Sequence, residues 1–150
     1  MAHTLTQLFI HIIFSTKDRS PCIDPEIRQE LFAYLGGIVR QLKGRAVCIN
    51  GTSDHVHILL EIPSSVCLAD MLRILKTNSS RWVHLKWPSR SGFAWQAGYS
   101  AFSVSRSNVP AVSRYITCQE QHHRKTSFQE ELIAYLKKHN IRYDDRFLWK

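Results

Sequence analysis

The order of strand-like and helix-like segments constrains the fold of this chain more than any other feature of its sequence. Four segments are rich in β-branched or aromatic side chains, or alternate apolar with polar or small residues, which predicts four strands. They cover residues 4–16, 45–51, 55–62 and 93–104. Apolar residues at helical spacing separate the first strand from the second and the third from the fourth. The resulting order, β-α-β-β-α-β, predicts an α+β fold of the ferredoxin-like type, with two helices on one face of an antiparallel sheet.

Helix-start signals support these boundaries and add two helices at the C-terminal end of the fold. Asp24 followed by Pro25 is typical of a helix N-terminus, and Ser127 has the capping-box spacing to Glu130. The four predicted helices run from residue 25 towards Gly44, over 68–82, over about 109–121, and onwards from Ser127.

Composition indicates one domain with a polyanionic partner. At 150 residues and 44% hydrophobic content the chain can bury a single core, so we expect residues 1–150 to form one domain. Neither an export signal nor a membrane-spanning segment is predicted, and the four cysteines form no C-x-x-C pair, which favours a cytoplasmic protein. A net charge of +8 favours nucleic acid as the partner.

Two pairs of residues carry candidate chemistry. His55 and His57 are two apart in a predicted strand, so both imidazoles point to the same side, as polar members of a sheet face or as metal ligands. Tyr115 and Gln119 are four apart on a predicted helix and share one of its faces. Two imidazoles with the Gln119 oxygen would make a mixed site with open positions, which suits Mg²⁺ or Mn²⁺ better than structural zinc.

Taken together, these residues resemble the single-tyrosine HUH transposases of the smallest bacterial insertion sequences and their relatives associated with repetitive extragenic palindromes. His55-Val56-His57 matches the HUH motif, and Tyr115-x-x-x-Gln119 matches the tyrosine helix. The segments LKTNSSRW at 75–82 and WQAGYSAFSVS at 95–105 are also similar to that family.

The resemblance implies a mechanism and a set of partners. Tyr115 would attack a DNA phosphate to give a 5′-phosphotyrosine and a free 3′-hydroxyl, with Mg²⁺ or Mn²⁺ held by His55, His57 and Gln119. The substrate would be single-stranded DNA with hairpins at the ends of a mobile element. The enzyme would be a homodimer in which Tyr115 of one subunit serves the histidines of the other, and the short connection before Pro110 is compatible with a helix that crosses to a partner.

Basic and aromatic residues alternate through the second half of the chain and are candidates for DNA binding. Lys76 and Arg81, in the predicted second helix, and Arg114, next to Tyr115, are the phosphate contacts we predict. Each has an alternative interpretation as solvated surface.

Two other functions fit parts of the pattern. The same element order occurs in single-strand RNA-binding modules without catalysis, and two histidines with Gln119 could support a metal-dependent hydrolase that uses water. Tyr115 discriminates among the three, because only the transposase requires it.

Overall fold

The computed structural model describes residues 2–119 and 126–148, and four of its strands form one antiparallel sheet in the order β2-β3-β1-β4. The strands are β1 (Leu8–Ser15), β2 (Arg45–Gly51), β3 (His55–Ile62) and β4 (Ser100–Val104). The helices in the described ranges are α1 (Pro25–Gln41), α2 (Leu68–Lys86), α3 (Val109–Thr117) and α4 (Phe128–Lys138). This arrangement confirms the ferredoxin-like fold with additional helices after its last strand.

The two faces of the sheet are covered by different pairs of helices. Ile12 and Phe14 of β1 join the main core with α1 and α2, whereas Ile13 packs with α4 and Phe9 packs with α3. On β3 the residues of the main core are Val56, Ile58 and Leu60. Because side chains alternate along a strand, His11, His55 and His57 belong to the face that α3 and α4 cover. The three histidines of β1 and β3 therefore lie on one side of the sheet.

Local signals in the sequence determine where the elements around the site begin. The Asp24 side chain accepts from the backbone N–H of Glu26, and the Ser127 side chain accepts from the N–H of Glu130, so both predicted helix starts are confirmed. At the turn between β2 and β3, a Cβ added to Gly51 would lie 2.2 Å from the backbone oxygen of His55. Glycine at this position lets the chain reverse and fixes the start of β3, where His55 stands.

The fourth strand is shorter than predicted, because only Ser100–Val104 pairs with β1. Upstream of it, Phe93 and Trp95 are buried in the main core, and only an isolated bridge joins Trp95 to Thr16. The Lys76 ammonium is hydrogen bonded to the backbone carbonyls of residues 96, 97 and 98, groups that a continuous strand would offer to its neighbour. The alternation at 93–99 thus reflects burial of aromatic rings rather than strand pairing.

Other boundaries differ from the prediction by a few residues. The first strand begins at Leu8 rather than at residue 4, and α3 ends at Thr117, while the predicted end at residue 121 lies outside the described residues. Within residues 2–119 and 126–148, no helix is both long enough and apolar enough to cross a membrane.

Candidate active site and metal centre

His55 and His57 stand side by side on β3, and each is held through Nδ1. His55 Nδ1–H donates to the Asp54 carboxylate at 2.7 Å, and Thr52 Oγ1 lies 2.9 Å from the same nitrogen. His57 Nδ1 shares a hydrogen bond of 2.9 Å with Nε2 of His11 on the neighbouring strand. Polar partners on Nδ1 are the usual way in which a protein orients a histidine that binds a metal through Nε2.

The charge states of the two supporting residues suit this arrangement. Burial alone would raise the pKa of the Asp54 carboxyl, but its hydrogen bond to His55, its electrostatic attraction to that residue and its hydrogen bond to Thr52 lower the pKa below its ordinary value. Burial and the proximity of His57 lower the pKa of His11 to about 3. At neutral pH the site therefore has a carboxylate behind His55 and an uncharged imidazole behind His57.

Tyr115 reaches this group from helix α3. Its ring centroid lies 5.9 Å from that of His57 and 6.3 Å from that of His11. Burial, followed by the hydrogen bond and negative charge of Glu131, raises the pKa of Tyr115 far above its ordinary value, which a hydrogen bond from Gln119 opposes. In this arrangement the side chain is a protonated phenol, so any reaction at its oxygen requires loss of that proton.

Gln119 is fully buried next to the tyrosine. Its Nε2 donates to the backbone oxygen of Tyr115 at 3.3 Å, and its side chain also contacts the Tyr115 hydroxyl. Helix α3 ends at Thr117, so Gln119 lies just beyond the helix that carries Tyr115, yet the two residues are in contact as predicted. The role of Gln119 as a metal ligand stays a prediction.

Glu131 of helix α4 is a further member of the site and is not among the residues predicted from the sequence. Its Oε1 lies 2.9 Å from His57 Nε2, and only 1% of its side chain is exposed. One ligand atom from each of His55, His57 and Glu131 falls within 4.8 Å of the others, so the three could hold a metal ion. A signal was present in the sequence, because Glu131 shares a helical face with Phe128 and Leu132 and is a charged residue on an otherwise apolar face.

Aromatic residues enclose the group. The ring of Phe128 stacks on His55 with centroids 4.0 Å apart, and Tyr135 meets His11 edge-on at 5.2 Å. Burial and the charge of Glu131 raise the pKa of Tyr135 to about 12. Helix α4 therefore covers the histidines, and His55 and His57 are at most 1% exposed.

The three predicted DNA contacts lie in different surroundings. Lys76 is half-buried at the rim of a hollow of about 500 Å³, whose lining includes Arg73, Thr77 and Tyr99 and contains no carboxylate. Arg81 is exposed on the same helix, α2. Arg114 is exposed on α3, which covers the opposite face of the sheet from α2.

The expectation that the tyrosine helix serves a partner subunit stays a prediction, because the structure describes a single chain, and in that chain α3 packs on its own sheet. The 3-10 turn Arg106–Asn108 reverses the chain, and α3 then packs through Val109 and Ile116 on its own sheet. The Asn50 amide donates to the Ile116 carbonyl at 2.9 Å and fastens the end of this helix to β2. Tyr115 therefore lies beside the histidines of its own chain.

Comparison with known proteins gives a consistent result. The sequence model of the family described as "Transposase IS200 like" matches residues 4–119. The chain is 28% identical over 124 residues to the transposase of insertion sequence element IS200 from Salmonella typhimurium, covering 79% of this chain and 81% of that protein. It is 26% identical over 118 residues to the ISDra2 transposase TnpA of Deinococcus radiodurans, covering 75% of this chain and 84% of that protein.

Solved structures are similar along most of the chain. A Deinococcus radiodurans R1 protein assigned as a transposase superposes with a TM-score of 0.65 at 25% identity, over 79% of this chain and 95% of that chain. A REP-associated tyrosine transposase bound to a REP hairpin superposes with a TM-score of 0.62, over 82% of this chain and 72% of that chain. At 12% identity this second likeness concerns the fold.

Proposed function

The chain belongs to the IS200-like transposase family, and on that premise we propose that it cuts and rejoins single-stranded DNA through a covalent bond between Tyr115 and a DNA 5′-phosphate. One observation carries the proposal above all others. A tyrosine hydroxyl and two histidines with supported Nδ1 atoms meet in one buried group, with the Tyr115 and His57 rings 5.9 Å apart. Neither an RNA-binding module nor a hydrolase that uses water requires this tyrosine.

His55 and His57 fit a divalent metal, because a polar partner holds Nδ1 of each ring: Asp54 for His55 and His11 for His57. This leaves Nε2 of His57 facing the Glu131 carboxylate. We infer that Gln119 adds its side-chain oxygen, since it is buried beside Tyr115. Such a mixed nitrogen and oxygen set suits Mg²⁺ or Mn²⁺. When bound, the cation would polarise the scissile phosphate and stabilise the departing 3′ oxygen.

The chemical step balances without a nucleotide cofactor. As the Tyr115 oxygen bonds to phosphorus its proton is released, and the bond from phosphorus to the 3′ oxygen breaks. The departing oxygen takes up a proton and becomes a 3′-hydroxyl. A second 3′-hydroxyl reverses the step by attacking the phosphotyrosine, so the phosphodiester is restored and the Tyr115 phenol is regenerated.

DNA with hairpins is the substrate that this proposal assigns. One structural neighbour is a tyrosine transposase bound to a hairpin, and the present chain has a net charge of +8. The hollow next to Lys76 offers cations and hydroxyl groups without a carboxylate, which suits a phosphate backbone. We extend the proposal to contacts from Lys76, Arg81 and Arg114 and to a homodimer.

Loss of the covalent adduct in Tyr115→Phe tests the proposal. The protein is incubated with single-stranded element ends and Mn²⁺ or Mg²⁺, and adducts are separated on a denaturing gel. Tyr115→Phe should bind DNA but form no adduct, because only the reacting oxygen is removed. Tyr34→Phe is the matched control, since Tyr34 stacks on Trp82 outside the site. An adduct with Tyr115→Phe overturns the mechanism, and cleavage without any adduct in the wild type indicates a hydrolase instead.

A further inference from the structure

We propose that Glu131 is a further protein ligand of the divalent metal and that metal binding thereby fastens helix α4 over the active site, an inference that rests on the metal-dependent function proposed above. The matched region of the family ends at residue 119, whereas α4 spans Phe128–Lys138. The carboxylate therefore comes from a part of the chain beyond the matched transposase region.

The positions of the donor atoms support a ligand role. Two ligands at right angles around Mg²⁺, each about 2.1 Å from the ion, lie about 3.0 Å apart, and opposite ligands lie about 4.2 Å apart. His57 Nε2 and Glu131 Oε1 are 2.9 Å apart, which matches the first spacing. The ligand atoms of His55, His57 and Glu131 all lie within 4.8 Å of one another, so small side-chain shifts bring them around one ion.

The charge of the group favours the same conclusion. Mg²⁺ and Mn²⁺ prefer oxygen ligands, and an anionic carboxylate binds them more strongly than a neutral amide does. Two imidazoles and an amide bring no negative charge to a divalent ion. Glu131 supplies one negative charge from a side chain that is 1% exposed, where water weakens its attraction for a cation very little.

Packing holds Glu131 in this position. Phe128, Leu132 and Leu136, on the same face of α4, are buried against Ile13 and Phe102 of the sheet. Phe128 also stacks on His55, one of the other two ligands. A bond between the metal and Glu131 thus links β3 to a helix that covers it.

The test compares Glu131→Gln with Glu130→Gln in the full chain without DNA. Glutamine keeps the size of the side chain and removes its charge, while Glu130 is the exposed neighbour on the same helix. We expect Glu131→Gln to weaken Mn²⁺ binding, measured by calorimetry or by the spin resonance of free Mn²⁺, at least about tenfold. Glu130→Gln should bind as the wild type does. Thermal unfolding without metal checks that both variants fold.

Hydrogen exchange provides a second readout. Mn²⁺ should slow amide exchange in residues 128–138 of the wild type and of Glu130→Gln, but not of Glu131→Gln, because only the first two can join the helix to the ion. Glu131→Asp keeps the charge on a shorter side chain and should retain more of the Mn²⁺ affinity than Glu131→Gln does. These results together would support the ligand role.

Unchanged or tighter Mn²⁺ binding by Glu131→Gln overturns the inference, since it would make Glu131 a bystander or a group that the metal displaces. A wild type that binds no Mn²⁺ also overturns it. Failure of the proposed function is separate and is seen in the denaturing gel. If the wild type forms the Tyr115 adduct while Glu131→Gln binds Mn²⁺ normally, only the inference fails, and the reverse pair of results removes only the function.

Discussion

Replacing Asp54 with asparagine tests whether metal binding depends on the orientation of His55. The Asp54 carboxylate accepts from His55 Nδ1–H at 2.7 Å and from the Thr52 hydroxyl at 3.2 Å. The short distance is typical of a charge-assisted hydrogen bond. It fixes the ring so that Nδ1 carries the proton and Nε2 has the lone pair that a metal needs.

The size of the effect follows from what each substitution removes. Loss of the residue that orients a ligating histidine usually costs ten- to a hundredfold in metal affinity, or about 1.4 to 2.7 kcal/mol. Asp54→Asn keeps an oxygen that can accept from His55, so we expect the lower end of that range. Asp54→Ala removes the carboxylate and leaves the neutral Thr52 hydroxyl 2.9 Å from His55 Nδ1, so we expect the upper end.

Mn²⁺ affinity and the rate of adduct formation are the measurements. Asp70→Asn is a matched control, because Asp70 is an exposed acid on α2 with a surface ion pair to Arg73. Both Asp54 variants should fall below this control in affinity and in rate. Equal Mn²⁺ affinity for the wild type, Asp54→Asn and Asp54→Ala would show that the orientation of His55 does not limit metal binding.

Three other experiments test the turn, the basic hollow and the composition of the site. Gly51→Ala should lower stability by roughly 1–3 kcal/mol and weaken Mn²⁺ binding, because the added Cβ meets the His55 backbone oxygen at 2.2 Å; unchanged thermal unfolding would contradict this. Burial lowers the pKa of Lys76 to about 8, so the ammonium is present at neutral pH and loses its charge as pH rises through that value. The advantage of the wild type over Lys76→Met in binding single-stranded DNA should therefore shrink above pH 8, and an advantage that does not change with pH would refute this account. If each subunit of a dimer keeps its own tyrosine helix, as the single chain does, mixed dimers of Tyr115→Phe and His57→Ala chains should cleave no better than either variant alone. Recovered cleavage would mean that subunits exchange the tyrosine helix.

The sequence predicted those parts of the fold that depend on local patterns. Residues 45–51 and 55–62 were expected as a hairpin and appear as β2 and β3 with the same bounds, because glycine and polar residues mark the turn and apolar residues mark the strands. The placement of His55 and His57 on one face was predicted from the same strand pattern, since strand residues two apart point to the same side. The prediction that the fourth strand includes residues 93–99 was wrong, because burial of Phe93 and Trp95 in the main core produces the same alternation as a strand.

Glu131 could not be assigned from its spacing to the histidines, because a contact between residues 57 and 131 depends on how α4 lies against the sheet. The local pattern shows only that a carboxylate stands among Phe128, Leu132 and Leu136. A buried charge requires a partner, and the sequence offered several basic or metal-binding candidates. Tertiary packing selects His57, at 2.9 Å.

Whether the tyrosine helix packs on its own sheet or on that of a partner cannot be predicted from the length of the connection before it. Only residues 105–108 separate β4 from α3, and a connection of that length permits a helix to extend towards a partner or to fold back. In a single chain the apolar face of α3 favours folding back, because Val109 and Ile116 are buried against Phe9 and Leu59 of the same sheet. If the helix extended instead, Phe9 and Leu59 would lose this cover unless a second subunit supplied an equivalent helix. Exchange of the helix between subunits therefore leaves the buried apolar area of a dimer unchanged. A single chain, in contrast, buries more apolar area when the helix folds back. Dilution below the dimerisation constant should therefore leave Tyr115 with the histidines of its own chain.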